Sequence, residues 1–275
     1  MIYEEIPLKV RGSSKDARLQ AYIQDTPHDG SLKVKKRPFI LICPGGAYER
    51  TSYREGEPVA LHFLERGYHA GVLRYSTAPH HFPTQILELG QAVLKLREMA
   101  EEWNIDMDRL VVQGSSAGGH LAASYGVFWN HEFMAEELGA EDADLRPRGL
   151  MLSYPVITAD AAYAHWGSFE NLLGDKASAE AQKVSVEKLV TKAVPPCFLW
   201  HTGEDATVPV ENSILMAMAL RKEGIPFELH IFPEGEHGLS LASPVVEREN
   251  GHGVQAECAR WITLADAWLE RLIRG

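Results

Sequence analysis

The sequence predicts an α/β fold with a mainly parallel central sheet and helices on both faces. From residue 39 onward, apolar runs typical of buried strands alternate with amphipathic helical patterns. Such alternation builds parallel βαβ units with right-handed crossovers. The chain has 275 residues, 45% of them hydrophobic, which suffices for one sizeable core. We therefore expect residues 1–275 to form a single domain.

The individual elements follow from apolar spacing and from the turn residues between them. An antiparallel pair opens the chain, with a turn near Gly12 and a loop at residues 26–30 after it. The predicted strands are apolar runs bounded by turn residues, namely 2–10, 17–24, 39–43, 68–75, 110–112, 149–154, 197–200 and 227–232. The predicted helices are 58–66, 86–103, 119–123, 210–223 and a last one with Trp261, Leu264, Trp268 and Leu272 on one face.

Residues 157–195 show neither a strand pattern nor a sustained helical one. The stretch is rich in Ala, Glu and Lys and carries aromatic residues at Tyr163, Trp166 and Phe169. Two interpretations stay open, a short lid over the site or a long connection with one or two helices.

Charge and cysteine content limit the partners and the compartment. The formal net charge of −11 argues against nucleic acid or an anionic membrane as a partner, because both require a basic face. Cys43 and Cys197 fall in predicted strands and Cys258 in a helical stretch, so we expect buried, reduced thiols. The first residues show no secretory signal, and no apolar run is long enough to span a membrane. We predict a cytoplasmic protein, with homo-oligomerisation left open.

A G-x-S-x-G pattern, Gly114–Gly118, lies between an apolar run and a run of small residues. Strand, tight turn and helix in this order are the context in which the pattern becomes a nucleophile elbow. The turn strains its central residue, and only small neighbours fit around it. Ser116 is therefore the predicted nucleophile, whereas Ser115 lies off the centre of the pattern. The following helix offers unpaired backbone N–H groups to a developing oxyanion.

A serine hydroxyl needs a base that takes its proton and an acid that orients this base. Asp205 follows a predicted strand in a tight turn that leads into a helix, and His237 lies near glycines after the next strand. Active sites of open α/β sheets assemble at these carboxyl ends of strands. We assign Asp205 as the acid and His237 as the base. Glu204 is the rival candidate for the acid and His201 for the base.

The Gly-rich loop Pro44–Tyr48 follows an early strand, where a second contribution to an oxyanion hole is expected. Glycines let backbone N–H groups approach a substrate carbonyl closely. We predict the N–H groups of Gly46, Ala47 and Ala117 as the donors. Neither metal-ligand spacing of His and carboxylates nor a G-x-x-x-x-G-K-[ST] motif occurs, so we predict no metal and no cofactor.

Together these residues resemble the α/β-hydrolase superfamily, and more narrowly its acetyl esterase and acetyl xylan esterase-like group. The resemblance runs from about residue 39 to the C-terminus and is carried by 43–48, 54–60, 73–79, 114–120 and the Asp-x-x-Val-Pro turn at 205–209. It implies an α/β-hydrolase fold with a small cap or none. It also implies a serine carboxylesterase that hydrolyses short-chain esters through an acyl-enzyme, typically acetyl groups on sugars or xylo-oligosaccharides.

Three other functions are alternatives to the esterase, and one of them fits the same residues. An amide- or formamide-cleaving hydrolase, such as an arylformamidase or a small peptidase, would share Ser116 and His237 and differ in its pocket. A non-catalytic binding protein of the same fold would have lost the histidine, and the presence of His237 argues against this function. A dienelactone-type hydrolase disagrees with serine as the nucleophile. Tyr48, Tyr75 and Trp166 are candidate walls of the pocket, because aromatic faces suit sugar rings. For each of them ordinary packing in the core is the alternative, and it is the more frequent role of such residues.

Overall fold

Eight strands form one sheet in the order β1-β2-β4-β3-β5-β6-β7-β8. The computed structural model describes residues 1–27 and 33–274, so residues 28–30 of the predicted loop lie outside the described residues. The strands are β1 (Ile2–Pro7), β2 (Arg18–Ile23), β3 (Arg37–Cys43), β4 (His69–Arg74), β5 (Ile105–Ser115), β6 (Gly149–Ser153), β7 (Cys197–Thr202) and β8 (Phe227–Phe232).

Helices connect the successive strands from β3 to β8 and cover the sheet. They are α1 (Glu57–Glu65), α2 (Thr84–Glu98), α3 (Ala117–Phe128), α4 (Glu132–Leu138), α5 (Asp142–Leu145), α6 (Trp166–Leu173), α7 (Ala177–Glu180), α8 (Glu211–Glu223), α9 (Ala256–Ala259) and α10 (Trp261–Arg274). No helix within residues 1–27 and 33–274 has the length and apolar composition needed to cross a membrane.

Strand pairing confirms the predicted mainly parallel sheet. β1 pairs with β2 and β2 with β4 in antiparallel fashion, whereas the pairs from β4 through β3, β5, β6 and β7 to β8 are parallel. In the register, Cys43 lies beside Gly114 and Ser115 lies beside Ser153. The loops that follow these strands therefore emerge at one edge of the sheet, which is where the candidate site lies.

Apolar side chains alternate between the two faces of the sheet. In β3, Leu41 belongs to a core beneath α2, α3 and α8, whereas Ile42 belongs to a second core beneath α1 and α10. Trp261 of α10 stacks on Trp200 of β7 with ring centroids 5.1 Å apart. Helices thus cover both faces of the sheet, which explains why its strands carry buried apolar side chains on both sides.

Several element boundaries differ from the prediction, among them the end of β1 at Pro7 and the limits of α3, which runs from Ala117 to Phe128. The end of α2 and the start of β5 have clear physical reasons. The helical apolar stripe predicted α2 to run to residue 103, but the helix ends at Glu98 and Trp103 is buried from the turn that follows. β5 is longer than the apolar run 110–112 and begins at Ile105, because its first half carries polar residues and pairs with Arg37 and Pro38 before a register shift. The spacing of apolar residues reflects which side chains are buried. A buried side chain in a turn, such as Trp103, therefore continues the helical pattern beyond the end of the helix.

Candidate active site

The turn around Ser116 is held in a strained conformation by steric limits on both sides. Ser116 has φ 54° and ψ −122°, between β5 and α3. A Cβ atom at Gly114 would lie 2.1 Å from the carbonyl oxygen of Gly118, and one at Gly118 would lie 2.0 Å from that of Cys43. Only glycine fits at these two positions, which is the physical reason for the G-x-S-x-G spacing.

A continuous chain of hydrogen bonds joins Ser116, His237 and Asp205. His237 Nε2 lies 2.8 Å from Ser116 Oγ, and His237 Nδ1 lies 2.6 Å from Asp205 Oδ2. A carboxylate only accepts hydrogen bonds, so Nδ1 carries the proton and donates it to Asp205. Nε2 of the neutral ring is then free to accept the hydroxyl hydrogen of Ser116. The loops after β7 and β8 bring together the acid and base predicted from the sequence.

Asp205 is oriented by its own loop as well as by His237. Its Oδ1 accepts hydrogen bonds from the backbone N–H groups of Thr207 and Val208, each at 2.9 Å. Burial by itself would raise the pKa of Asp205, but hydrogen bonds from His201 and His237 outweigh it and hold the pKa well below its usual range. The carboxylate is therefore ionised at neutral pH.

His201, the rival candidate for the base, contacts Asp205 instead of Ser116. Its Nε2 donates to the carbonyl oxygen of Val208 at 2.9 Å and lies 3.3 Å from Asp205 Oδ2. Its Nδ1 accepts from the hydroxyl of Ser213 at 2.8 Å. Both ring nitrogens of this buried side chain are occupied. The contact of His201 with Asp205 was not expected, because sequence spacing does not show which way a strand-end side chain turns.

Ser115 and Glu204 also make their hydrogen bonds away from Ser116. Ser115 is buried and accepts a hydrogen bond from Gln113 Nε2 at 3.1 Å. Glu204 Oε2 accepts from the backbone N–H of Gly235 at 3.4 Å. Within the described residues neither side chain forms a hydrogen bond to Ser116 Oγ or to His237.

Backbone donors border a cavity of about 230 Å³ next to Ser116 and His237. Gly46 and Ala47 line this cavity and have positive φ angles of 129° and 55°. In residues 1–27 and 33–274, the N–H groups of Gly46, Ala47 and Ala117 have no protein acceptor. Ala117 opens α3, where the first N–H groups of a helix lack partners within the helix. Unpaired donors beside a nucleophile suit a developing oxyanion.

Sequence reasoning missed Glu55, a buried carboxylate that ties the Gly-rich loop in place. Glu55 Oε2 accepts the backbone N–H of Gly45 at 2.9 Å, and Oε1 accepts the hydroxyl of Tyr154 at 2.8 Å. The residue lies within the 54–60 motif of the family resemblance, so a signal was present, but the motif did not indicate a role. Glu55 connects the loop after β3 to the loop after β6.

Tyr154 extends this connection to the histidine. Its ring meets the ring of His237 edge to face, with centroids 5.1 Å apart and an interplanar angle of 71°. Its hydroxyl accepts the backbone N–H of Ser240 at 2.8 Å while it donates to Glu55. One carboxylate thus positions both the predicted oxyanion loop and the predicted base.

Of the three candidate wall residues, two pack in the core, which is the alternative favoured from the sequence. Tyr48 and Tyr75 are buried below the Gly-rich loop. Tyr48 donates to His120 Nδ1 at 2.9 Å, and Tyr75 donates to the carbonyl oxygen of Pro44 at 2.6 Å. They support the loop from beneath, since their hydroxyls find internal partners. Trp166, at the start of α6, is 39% exposed.

The stretch 157–195 contains α6, α7 and short 3₁₀ turns, and part of it borders the site. His165 lines the cavity, and Asn171 Nδ2 donates to the carbonyl oxygen of Ala47 at 2.9 Å. Phe169 packs edge to face on His120 with centroids 5.4 Å apart. The stretch is therefore attached to the Gly-rich loop, and its interpretation as a lid stays a prediction.

The sheet and the site together place the chain among the α/β hydrolases, whose nucleophile sits at a sharp strand–helix turn. The chain belongs to the BD-FAE family, whose model matches residues 29–220. This confirms the predicted fold class and the family resemblance.

Named relatives agree with this placement. The chain is 42% identical over 216 residues to endo-1,4-β-xylanase B of Butyrivibrio fibrisolvens, covering 76% of this chain and 33% of the relative. An acetyl ester-xyloside bifunctional hydrolase of Caldicellulosiruptor lactoaceticus is 36% identical with a TM-score of 0.81, covering 98% and 96% of the two chains. An α/β hydrolase from a Medee basin deep-sea metagenome is 31% identical with a TM-score of 0.79, covering 100% and 99%. The chain thus spans a third of the xylanase.

Proposed function

We propose that the protein is a serine carboxylesterase that removes short acyl groups, acetyl above all, from sugars or xylo-oligosaccharides. The observation that carries the proposal is the hydrogen-bond chain from Asp205 through His237 to Ser116, beside unpaired N–H groups. The similarity to a hydrolase of acetyl esters and xylosides supports the acetyl and sugar specificity. The proposed location is the cytoplasm, where the three buried thiols stay reduced.

In the first half of the reaction His237 Nε2 takes the hydroxyl proton of Ser116 as Oγ attacks the ester carbonyl carbon. Asp205 holds the imidazolium that forms, and the carbonyl oxygen becomes an oxyanion. The N–H groups of Gly46, Ala47 and Ala117 stabilise this charge. The tetrahedral intermediate then collapses, and the alcohol leaves with the proton from His237 Nε2. Ser116 is now acylated.

Water completes the cycle by the same path. His237 Nε2 takes a proton from water as the oxygen attacks the acyl carbon, and the same N–H groups hold the second oxyanion. The bond to Ser116 Oγ breaks, Oγ recovers its proton from His237, and the acid leaves. Both side chains are restored to their starting protonation, so no cofactor is consumed.

We expect a steep preference for short acyl chains, because the cavity next to Ser116, which the acyl and alcohol portions share, has a volume of only about 230 Å³. A series of p-nitrophenyl esters tests this and the function together. We expect kcat/KM to fall by roughly tenfold or more from acetate or butyrate to octanoate, since a long chain finds too little space to bury its carbons. If kcat/KM stayed equal or rose with acyl-chain length, the protein would not be an acetyl esterase. If none of the esters were hydrolysed, the proposed carboxylesterase function would be wrong.

We expect the substitution Glu55→Gln to lower kcat for p-nitrophenyl acetate by roughly 10- to 100-fold. Glutamine keeps one acceptor oxygen but cannot accept both from Gly45 and from Tyr154, so one of the two loops shifts. KM should change less than kcat, because Glu55 does not bind the acyl group. Steady-state kinetics measure both.

Glu57→Gln is the matched control for Glu55→Gln. Glu57 lies two residues away and accepts hydrogen bonds from Tyr22 and Tyr53, outside the Gly-rich loop. A thermal melt separates a loss of stability from a loss of positioning. A kcat for Glu55→Gln equal to that of Glu57→Gln, with both folded, would show that Glu55 does not position the site.

A further inference from the structure

Cationic side chains crowd the cavity beside Ser116 although the chain as a whole is acidic. Arg50, Arg54 and Arg248 line the same cavity of about 230 Å³, whereas the formal net charge of the chain is −11. Glu55 is the acidic residue of this lining, and both of its oxygens are bonded inward, to Gly45 and to Tyr154. Glu55 forms no ion pair with these arginines, although its negative charge partly offsets that of Arg54 and acts to raise the pKa of Arg54.

Arg54 is fixed in place by neutral partners. Its Nε donates to the carbonyl oxygen of Val246 at 2.6 Å, and its Nη1 donates to the carbonyl oxygen of Gly238 at 3.0 Å. Its Nη2 is buried and has no hydrogen-bond partner. In the described part of the chain Arg54 takes part in no ion pair. A guanidinium held in this way acts as a preorganised positive charge.

Arg248 places a second unneutralised cation close to the first. The side chain is exposed and, among residues 1–27 and 33–274, forms no ion pair. Burial, and then the charge of Arg248, lower the pKa of Arg54 below its usual value. Arg50 differs from both, because it pairs with Glu49 at 3.3 Å. Two neighbouring guanidiniums that repel each other are stabilised when an anion lies near them.

These two arginines lie on the side of the departing alcohol. In the proposed reaction, on which this inference rests, His237 Nε2 hands its proton to the alcohol, so the alcohol lies towards His237. Arg54 is bonded to the carbonyl oxygen of Gly238, the residue after His237. In the same proposed reaction the acyl oxygen faces the N–H groups of Gly46 and Ala47, which also line the cavity.

We propose that the alcohol portion of the natural substrate carries a carboxylate, which Arg248 binds directly and Arg54 attracts through its charge. An acylated saccharide that contains a uronic acid has this chemistry. Guanidinium groups match carboxylates in shape and charge, and charge-assisted hydrogen bonds of this kind are stronger than neutral ones. Neutral acyl sugars lack this interaction.

A matched pair of acetyl esters tests the proposal. 4-Acetoxybenzoate carries a carboxylate on its alcohol portion, and 4-acetoxybenzamide is a neutral analogue of nearly the same shape. We expect wild-type kcat/KM to be about tenfold higher for the benzoate at low salt, through a lower KM. Added salt should reduce this preference, since exposed charges are screened.

Variants of Arg248 test whether this side chain causes the preference for 4-acetoxybenzoate over 4-acetoxybenzamide. Arg248→Gln should raise the KM for 4-acetoxybenzoate and remove most of the tenfold preference, and Arg248→Glu should reverse it. Arg109→Gln is the control, because it removes the same charge near the start of β5, where Arg109 pairs with Asp106 at 3.2 Å. The control should keep the wild-type preference.

The remaining outcomes separate the possible failures. Cleavage of both esters without preference for the benzoate would overturn the inference and leave the proposed function in place. Hydrolysis of neither ester would overturn both. A preference for p-nitrophenyl hemisuccinate over p-nitrophenyl butyrate, without one for 4-acetoxybenzoate, would place the anion on the acyl side and overturn the assignment to the alcohol.

Discussion

Replacement of Ser116 by alanine should lower kcat for p-nitrophenyl acetate by roughly 10⁴- to 10⁶-fold. Alanine keeps the elbow small but removes the oxygen that, in the proposed mechanism, forms the acyl-enzyme. His237 would then have no hydroxyl to deprotonate, and only the backbone donors would assist attack by water. Steady-state hydrolysis of p-nitrophenyl acetate measures the loss.

Two controls make the Ser116→Ala result specific. Ser115→Ala alters the adjacent hydroxyl, which bonds to Gln113, and should keep kcat within about tenfold of wild type. A fluorophosphonate probe should label the wild type and Ser115→Ala but not Ser116→Ala, because the probe reacts with an activated serine. Near-normal hydrolysis by Ser116→Ala would show that another group is the nucleophile.

The substitution Asp205→Asn should lower kcat for the same ester by about 10⁴-fold. The amide oxygen or nitrogen of asparagine replaces Oδ2 at 2.6 Å from His237 Nδ1. An amide nitrogen at this place would donate to Nδ1 and move the ring proton to Nε2. His237 would then no longer accept the proton of Ser116. The loss should appear in kcat, measured with saturating substrate.

Glu204→Gln is the matched control for Asp205→Asn. Glu204 is the neighbouring carboxylate and contacts the backbone of Gly235 instead of His237. We expect nearly wild-type kcat for Glu204→Gln. If Glu204→Gln lost more activity than Asp205→Asn, Glu204 would be the acid of the site and our assignment would be wrong.

The fold class was readable from the sequence because strand and helix periods differ and each strand of a parallel sheet is buried on both faces. The strands at 39–43, 149–154 and 227–232 lie within a residue or two of their observed limits. The end of α2 was harder to predict, since Trp103 packs on the core from a turn and prolongs the helical pattern.

The Ser116, Asp205 and His237 assignments depended on local order, namely a turn residue just after each of three strands. Parallel strands end at one edge, so residues far apart along the chain converge there. Tyr48 and Tyr75 were candidates for the pocket wall, but they pack in the core, where their buried hydroxyls bond to His120 and to the backbone of Pro44. An aromatic residue in a motif does not indicate whether its ring faces the cavity or the core.

The sequence by itself determined the α/β architecture, the strained serine turn and the order of serine, acid and histidine. Each of these features follows from the local spacing and size of residues. Only the tertiary structure decided that Glu55 joins the Gly-rich loop to Tyr154, whose ring contacts His237, and that Arg54 and Arg248 lie beside the cavity without an ion pair in the described part of the chain. Both features arise between segments more than 90 residues apart along the chain. Such contacts depend on side-chain direction and on loop packing, which local patterns do not encode.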